Sequence, residues 1–435
     1  MSVVAAHATT RSATGPRIAL RLLSALGMPV VLLMLLLRVL HPLPDASVFT
    51  LTEARVAASA ALEPWRIPDS APSVRLPHEQ HGPQAPFAYH FVLELQVPPD
   101  RLWAIYLPHL SMNAAIHLNG QILGHGGSMT PPVARHWNRP LYFTVPNGLL
   151  RSGRNVLVVE VVGDPVRTGF LAPIHVGAHE ALMRVYEQRR GLTAVASLAI
   201  TTLLVTVAVL MCTLWAMRRA ATVYLWFGLG AGAWALHNFN LFVVHPPIPA
   251  AAWEWAWNVT MGWLVIFTVL FALRFLDQRM PRLESALIVF GIVGSAALAL
   301  IAWYDPRMLA WVGPHVWDSG VLLLGAFPVF IVLRRLAFSP DREVGWLLFA
   351  GFTMFIFGVH DWLVLTGRLP RMNGLLIHFS APVVMVVFGY ILVGRFVNAL
   401  RESEALNVEL EARVAIREAQ LAANHDRLRA LERTQ

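Results

Sequence analysis

Cysteine, lysine and charged residues are all scarce in this chain of 435 residues. It has one cysteine, Cys212, and no lysine, so that all 34 of its Lys-plus-Arg residues are arginine. One cysteine cannot form an intrachain disulfide or build a thiol metal site. Only 14% of the residues are charged, whereas 56% are hydrophobic and the mean hydropathy is +0.55. This composition predicts a membrane protein and excludes an ordinary soluble one.

Motifs of catalysis and cofactor binding are also missing. The sequence has no Gly-x-Ser-x-Gly, no Walker-type phosphate loop and no His-Glu-x-x-His. We therefore expect no catalytic residues, no metal and no cofactor. The formal net charge of +8 does not indicate a nucleic-acid partner, because the arginines lie mostly at the ends of apolar runs and form no basic face.

The first segment, residues 1–44, is predicted to be an N-terminal tail followed by a membrane anchor or a signal peptide. Arg11, Arg17 and Arg21 precede an uncharged apolar run at residues 22–37. A retained anchor is the favoured interpretation, since Arg38 and His41-Pro42-Leu43-Pro44 follow the run and leave no small-residue cleavage site. Either alternative exports the next segment.

Residues 45–190 show the period-two pattern of half-buried strands. One face of the clearest strand is apolar and comprises Tyr89, Phe91, Leu93, Leu95 and Val97. Further strands are predicted at residues 102–107, 114–118, 141–145 and 156–162, and Asn119-Gly120 is a hairpin-turn signal. The short spacing predicts an extracytoplasmic β-sandwich.

Residues 191–396 contain seven apolar runs, each long enough to cross a bilayer. The runs lie at residues 192–217, 222–244, 255–273, 285–304, 308–333, 344–365 and 372–394. With the N-terminus inside, the cytoplasmic segments hold thirteen arginines and the short outer loops three, namely Arg307, Arg368 and Arg371. This asymmetry predicts that both termini are cytoplasmic.

Residues 397–435 are predicted to form a cytoplasmic coiled-coil helix. Its apolar seam consists of Leu400, Leu410, Val414, Leu421, Leu428 and Leu431. Polar residues interrupt the seam, so a solvated single helix stays open as the alternative. The coiled coil predicts a parallel homodimer.

The order of these segments resembles the bacterial seven-transmembrane receptors with diverse intracellular signalling modules, of the sensor histidine kinase type. The motifs that carry the resemblance are Leu118-Asn119-Gly120, Arg135-His136-Trp137-Asn138-Arg139-Pro140, Gly358-Val359-His360-Asp361-Trp362 and Leu410-Glu411-Ala412-Arg413-Val414. The resemblance implies a galactose-binding-like jelly roll outside the bacterial inner membrane. It also implies a two-component system in which a kinase module passes the signal to a response regulator.

The expected kinase domains are absent from this sequence, which has no glycine-rich ATP site after the exit helix. His425-Asp426 superficially matches a phosphoacceptor pair but lies inside the linker heptads. We therefore expect the sensory half of a receptor, either a fragment or a split sensor whose output domain belongs to a partner.

Two groups of residues are candidates for ligand binding or signal transduction. Trp137, Asn138 and Arg139 lie in a loop between strands, where an aromatic face could stack on a carbohydrate-like ligand and an arginine could bind a carboxylate. The alternative is a loop fixed to the sandwich by a buried tryptophan.

The second group consists of polar residues within the apolar runs, which we predict to fall in the outer half of the bundle: His237, Asn238, Asp318, His360, Asp361 and His378. Polar residues in hydrocarbon are costly and usually face a bundle interior or water. A shared outer cavity and simple interhelical hydrogen bonding stay open as alternatives. Because neighbours on a helix differ by about 100°, we expect His360 or Asp361 to seek a partner on another span.

The leading hypothesis is a sensor that passes an extracytoplasmic stimulus through the bundle to the exit helix. One rival is a transporter or membrane enzyme that uses His237, Asp318, His360 and Asp361, although no repeat between the bundle halves supports it. Another is a structural docking protein. The sequence identifies neither the stimulus nor the output partner.

Overall fold

The structure is a computed structural model that describes residues 15–40, 47–58, 70–80, 86–338 and 342–432. The chain divides into two compact units, Met1–Pro382 and Val383–Gln435. The first unit contains a β-sheet region and a helical bundle. The second is the continuation of the last helix.

Thirteen strands lie within the described residues. They are β1 (Phe49–Leu51), β2 (Glu53–Ala58), β3 (Ser73–Arg75), β4 (His78–Glu79), β5 (Phe87–Leu95), β6 (Trp103–Leu107), β7 (Leu110–Ser111), β8 (Asn113–Leu118), β9 (Gln121–His125), β10 (Leu141–Val145), β11 (Gly153–Val162), β12 (Phe170–Leu171) and β13 (Ile174–Ala178).

These strands form two larger antiparallel sheets and one small sheet. The orders are β3-β2-β5-β11-β8-β9, β1-β13-β6-β10 and β4-β12-β7. Tyr89 pairs with Val159, which also pairs with Ile116, and all three are fully buried. They share one apolar core with Ile105 and Val176 of the other large sheet. The two sheets therefore pack face to face as a sandwich; its jelly-roll topology stays a prediction.

The predicted strands and hairpin turn have direct counterparts in the sandwich. The predicted strand at residues 141–145 is β10, and the one at 156–162 lies within β11. Asn119 and Gly120 have φ angles of 51° and 83°, the left-handed conformation that a tight hairpin requires. The inward assignment of Val97 is wrong, because β5 ends at Leu95 and the Val97 side chain is 74% exposed.

Ten α-helices lie within the described residues. They are α1 (Gly15–Leu40), α2 (His179–Arg190), α3 (Ala196–Met217), α4 (Thr222–Phe242), α5 (Ala250–Phe275), α6 (Pro281–Tyr304), α7 (Pro306–Val312), α8 (Asp318–Phe338), α9 (Arg342–Leu365) and α10 (Ser380–Glu432). Short 3₁₀ turns at Arg371–Asn373 and Ile377–Phe379 precede α10.

Two π-helical turns interrupt what the sequence predicts as continuous apolar runs. Gly191–Val195 joins α2 to α3, and Gly313–Trp317 joins α7 to α8. Helix α5 packs against α4, α6 and α8, and α1 packs against α9. The second π turn places Asp318 in the first turn of α8, beside the neighbouring helices. π turns of this kind are frequent at functional sites.

Seven stretches of the described chain are long and apolar enough to cross a membrane. They comprise α1 and six that correspond to predicted runs of the bundle; α4 is not among them. His237, Asn238 and Asn240 lower the hydropathy of α4, and all three side chains are buried inside the protein. The molecule is thus a multi-pass membrane protein with a sheet domain.

Helix α10 forms the second unit from Val383 onward. The seam residues Leu410, Val414 and Leu421 are 56%, 54% and 68% exposed in the single chain. The side chains of Leu400, Leu428 and Leu431 lie outside the part of the chain that the structure describes. A coiled coil would need a second helix to cover this exposed apolar seam, so the coiled coil stays a prediction.

Candidate functional site between the sandwich and the helices

Arg135 connects the sandwich to the helices from the loop between β9 and β10. Its backbone N–H donates to the carbonyl oxygen of Val244, just after α4, at 2.9 Å. Its side chain is 2% exposed and donates to Asp164 Oδ2 at 2.7 Å and to Glu254 Oε1 at 2.6 Å. A third hydrogen bond reaches Asn240 Oδ1 at 3.3 Å. One arginine therefore contacts a sandwich loop, α4 and α5 together.

Glu254 lies on α5 and its side chain is 1% exposed. Arg167 donates to Glu254 from Nε at 3.2 Å and from Nη2 at 3.0 Å, so both carboxylate oxygens accept from arginines of the sandwich. A buried charge is tolerated only when it is paired and hydrogen-bonded. The arrangement therefore requires the sandwich and α5 to keep this mutual position.

Asp164 shapes the sandwich loop that carries Arg167. Its Oδ1 accepts from the backbone N–H groups of Val166 at 2.8 Å and of Arg167 at 2.7 Å. Burial raises the pKa of Asp164, whereas the Arg135 guanidinium acts in the opposite direction. Burial acts to lower the pKa of Arg167, but the carboxylates of Glu254, Asp164 and Asp318 together outweigh it and raise that pKa. We define Arg135, Asp164, Arg167 and Glu254 as the junction cluster.

The predicted ligand loop also contacts the helices. The Trp137 indole donates to the Asn240 carbonyl at 3.2 Å and packs 6.3 Å from the Trp257 ring. Asn138 is buried and donates to the carbonyls of Thr193 and Leu241 at 3.2 and 3.1 Å. These polar groups are therefore engaged within the protein, and Trp137 still lines one wall of a cavity.

Arg139 is half-buried, and its backbone N–H donates to the carbonyl of His136 at 2.9 Å. Burial is the main cause that lowers the pKa of this guanidinium. It is not among the residues that line the cavities described below.

Three of the polar residues predicted within the spans line one small cavity. His237, Asp318 and Asp361 surround a volume of about 20 Å³, together with Trp257 and Asn258. This volume has room for about one water molecule. The Trp257 indole donates to His237 Nε2 at 3.1 Å, and His237 Nδ1 lies 3.1 Å from the Trp257 carbonyl oxygen. Trp257 therefore belongs to both this cavity and the packing under Trp137.

Asp361 holds the chain segment that leads into α10. Its Oδ1 accepts from the Leu376 N–H at 2.7 Å, and its Oδ2 accepts from the Ile377 N–H at 2.9 Å. His360 Nδ1 also lies 3.0 Å from Asp361 Oδ1. Asp361 thus has its partners on the segment before α10, outside its own helix, whereas His360 has its contact with the neighbouring Asp361, because the two rotamers turn toward each other despite the 100° between their Cα positions.

The remaining predicted residues are buried at separate places. His378 Nε2 lies 3.2 Å from Ser197 Oγ, which links the segment before α10 to α3. Asn238 is fully buried, and neither polar atom of its side chain has a partner among the described residues. Asp318 Oδ1 is likewise buried without a partner in the described part of the chain. His237, Asp318 and Asp361 are thus brought together, whereas Asn238 and His378 are not at the cavity.

Two larger cavities continue from the small one toward the sandwich. The first has a volume of about 60 Å³ and is lined in part by Trp137, Arg167, Trp257 and Arg371. The second, which we call the arginine cleft, has a volume of about 380 Å³ and shares Arg167, Leu365 and Arg371 with the first. Neighbouring cavities thus share lining residues from the sandwich loops to Asp361.

The sequence interpretation did not single out Glu254, Asp164 or Arg167, and it treated Arg135 only as part of a motif. A signal for Glu254 was present, since it is an acidic residue between Trp253 and Trp255 at the start of an apolar run. In the described residues, no group of three or more His, Cys, Asp or Glu side chains is arranged to hold a metal ion.

The fold and this site define a multi-pass membrane protein whose sheet domain is tied by buried charges to a helical bundle. Residues 193–395 match the model of the family described as 7TM diverse intracellular signalling. That part of the chain thus matches a seven-transmembrane receptor domain of the signalling type. No curated protein matches the chain.

Solved structures resemble a smaller part of the chain. A Faecalibacterium prausnitzii β-glucuronidase is 15% identical with a TM-score of 0.22, and the match covers 29% of this chain and 23% of that one. The Ruminococcus gnavus β-glucuronidase is 9% identical with a TM-score of 0.24, and the match covers 31% of this chain and 30% of that one. A β-D-mannosidase from Dictyoglomus thermophilum is 14% identical with a TM-score of 0.20, and the match covers 27% of this chain and 15% of that one. The chain thus spans less than a third of each, and scores this low support no transfer of activity.

Proposed function

We propose that this protein is the sensory part of a two-component sensor histidine kinase, with the sandwich outside the bacterial inner membrane and both termini in the cytoplasm. The observation that carries the proposal is that two arginines of the sandwich, Arg135 and Arg167, both donate hydrogen bonds to the buried carboxylate of Glu254 on α5. A stimulus that moves the sandwich loops must move α5 as well, because separating these charges would leave them buried and unpaired.

The next step of the relay runs from α5 to the segment before α10. Trp257 lies one helical turn after Glu254 and lines the small cavity that Asp361 also lines. Asp361 in turn binds the backbone of Leu376 and Ile377. We therefore propose Asp361 as the residue that transmits a repacking of the bundle to the start of the exit helix. The small cavity that Asp361 lines would leave space for the side chains of the bundle to repack.

The output would be a change in the pairing of two exit helices. A second copy covering Leu410, Val414 and Leu421 would bury the exposed apolar seam in a parallel homodimer. A kinase module attached to or recruited by this helix would then phosphorylate a response regulator. The stimulus itself would be a ligand of the sandwich or of the cavities, of the carbohydrate-like or anionic class.

Disulfide cross-linking between exit helices tests the relay without knowledge of the stimulus. In a Cys212→Ala background, Leu410→Cys and Leu421→Cys should each link between chains in membranes. Asp361→Asn should change the relative efficiency of the two links while abundance stays the same. Asparagine keeps the shape but has one carbonyl acceptor, so that one of the two backbone donors loses its partner.

The matched control is Glu284→Gln on α6, which removes the carboxylate charge that pairs with Arg274 of α5; these two side chains are 16% and 22% exposed. It should leave the cross-linking pattern as in the parent. Identical patterns in Asp361→Asn, Glu254→Gln and the control would contradict the relay. A reporter that works only in the cytoplasm should be inactive when it is fused at Gly163. Activity of that fusion would contradict the proposed topology.

A further inference from the structure

The arginine cleft has the size of a ligand site and an excess of positive charge. Its volume of about 380 Å³ falls within the range of small-molecule sites. It is lined by three arginines, Arg167, Arg307 and Arg371, and by two carboxylates, Glu79 and Asp164. Three positive charges against two negative ones leave an excess of one. Arg135 and Glu254, which pair with lining residues, cancel each other.

The arginines of the cleft are held in place but retain unused donors. Arg371 Nη2 lies 2.9 Å from Glu79 Oε1, and its side chain remains 39% exposed. Arg167 binds Glu254 through Nε and Nη2, and its side chain is 27% exposed. Each guanidinium has five N–H donors, so both can bind a further acceptor. Preorganised guanidinium groups favour oxyanions, which they bind in a fork geometry.

The rim of the cleft lies at a belt of exposed aromatic residues. Trp303 and Tyr304 are each 85% exposed, and Trp311 is 59% exposed and stacks on His315 with ring centroids 5.0 Å apart. Tryptophan and tyrosine are enriched at the level of lipid head groups. Arg307 lies within this belt, is exposed, and makes no ion pair with another described residue. This setting predicts that the mouth of the cleft lies at the level of the lipid phosphates.

We propose that the arginine cleft binds a phosphate-class oxyanion, supplied by the head group of a membrane phospholipid, with Arg307 at the rim and Arg167 and Arg371 inside. A soluble phosphate has the same chemistry and is the second source to be distinguished. Because Arg167 also holds Glu254 through Nε and Nη2, a bound oxyanion would share this guanidinium with the junction cluster through the remaining N–H donors. The binding itself is independent of the receptor function.

Thermal unfolding of the full chain in an uncharged detergent at constant ionic strength tests the site. The probes are dihexanoylphosphatidylglycerol, dihexanoylglycerol, which has the same acyl chains without phosphate, and inorganic phosphate. Dihexanoylphosphatidylglycerol should raise the unfolding midpoint, with a shift that grows with the logarithm of its concentration above the apparent dissociation constant, as a ligand of the native state does, and dihexanoylglycerol should not. Arg307→Gln should weaken the apparent affinity about ten-fold, the loss expected for one charge-assisted hydrogen bond.

The control variant is Arg154→Gln, which removes an exposed arginine of β11 that does not line the cleft. It should bind the probes as the parent does. A rise in the unfolding midpoint with the phospholipid alone supports a head-group site. Equal binding of inorganic phosphate, also weakened by Arg307→Gln, supports a soluble oxyanion at the same residues. Equal stabilisation by dihexanoylglycerol, or unchanged affinity in both Arg307→Gln and Arg371→Gln, would overturn the proposal. None of these results depends on a signalling readout.

Discussion

The sandwich core and the Arg135–Glu254 pair of the junction cluster are equally buried but differ in chemistry. Tyr89, Phe91 and Ile105 of the core are at most 2% exposed and pack as apolar groups from two sheets. The Arg135 and Glu254 side chains are also at most 2% exposed, yet they are ionic partners. Apolar burial stabilises a fold without strong directionality. A buried ion pair adds little net stability, but removing one of its partners is costly because the other charge stays buried and unpaired. Such a pair therefore specifies the relative position of the two elements that carry it.

The largest effect should come from breaking the junction cluster on one side. Glu254→Gln leaves Arg135 and Arg167 without their carboxylate, and we expect a loss of about 3–5 kcal/mol in the free energy of unfolding. Denaturation of the purified protein in detergent measures this loss. Glu284→Gln should cost less than about 1 kcal/mol, since its pair with Arg274 is partly exposed. Equal losses of unfolding free energy in the two variants would contradict the prediction that the buried ion pair matters more than the partly exposed one.

A cavity in the sandwich core should cost slightly less and act only on stability. Leu157 is fully buried on β11, and Leu157→Ala should lower the free energy of unfolding by about 3 kcal/mol through lost burial and an unfilled cavity. The same denaturation experiment measures it. In contrast to Glu254→Gln, this variant should leave cross-linking at Leu410→Cys and Leu421→Cys unchanged. A shift in cross-linking would show that the core also transmits the signal.

The sandwich should lose stability in mild acid because of His90. Burial, with a smaller effect from Arg55, lowers the pKa of His90 to about 4, against 6.5 in an unfolded chain. The unfolded state therefore binds the proton more tightly, so the contribution is complete above pH 6.5 and is lost as the pH falls toward 4. At pH 5 the loss is about 1–2 kcal/mol.

His90→Leu isolates this effect, because it removes the titrating group and places an apolar side chain at a position that is 3% exposed. The pH dependence of the unfolding midpoint should be flatter in this variant than in the parent between pH 7 and 5. Parallel curves for the two proteins would assign the acid sensitivity to other groups.

The smallest effect should come from a fully solvated ion pair on α10. The Arg413 and Glu409 side chains are 72% and 56% exposed, and they form an i, i+4 pair. Arg413→Ala should change the free energy of unfolding by less than about 0.5 kcal/mol, because exposed pairs are screened by water and salt. A larger loss would indicate that this part of α10 is covered by a partner, and it would support the proposed dimer.

The sequence by itself determined the segments whose information is local. The apolar runs correspond to helices because about 20 consecutive apolar residues satisfy the bilayer and a helix pairs its own backbone. The alternation around Tyr89 and Phe91 predicted a half-buried strand, and Asn119-Gly120 predicted the hairpin turn, since both depend on neighbouring residues only. The polar residues His237, Asp318 and Asp361 were also recognisable, because ionisable groups stand out in an apolar run.

Only the tertiary structure decided which of these residues meet. Arg135 and Glu254 are 119 positions apart, and Arg167 and Glu254 are 87 apart, so no local pattern pairs them. The π turn at Gly313–Trp317 sets the direction of Asp318, and the fold around it brings Asp361 to the amides of Leu376 and Ile377. Such contacts arise from the packing of whole elements. A single sequence marks the ionisable residues that lie within apolar runs, whereas the burial of Arg135 and Asp164 and the partners that make it tolerable are decided by the tertiary structure.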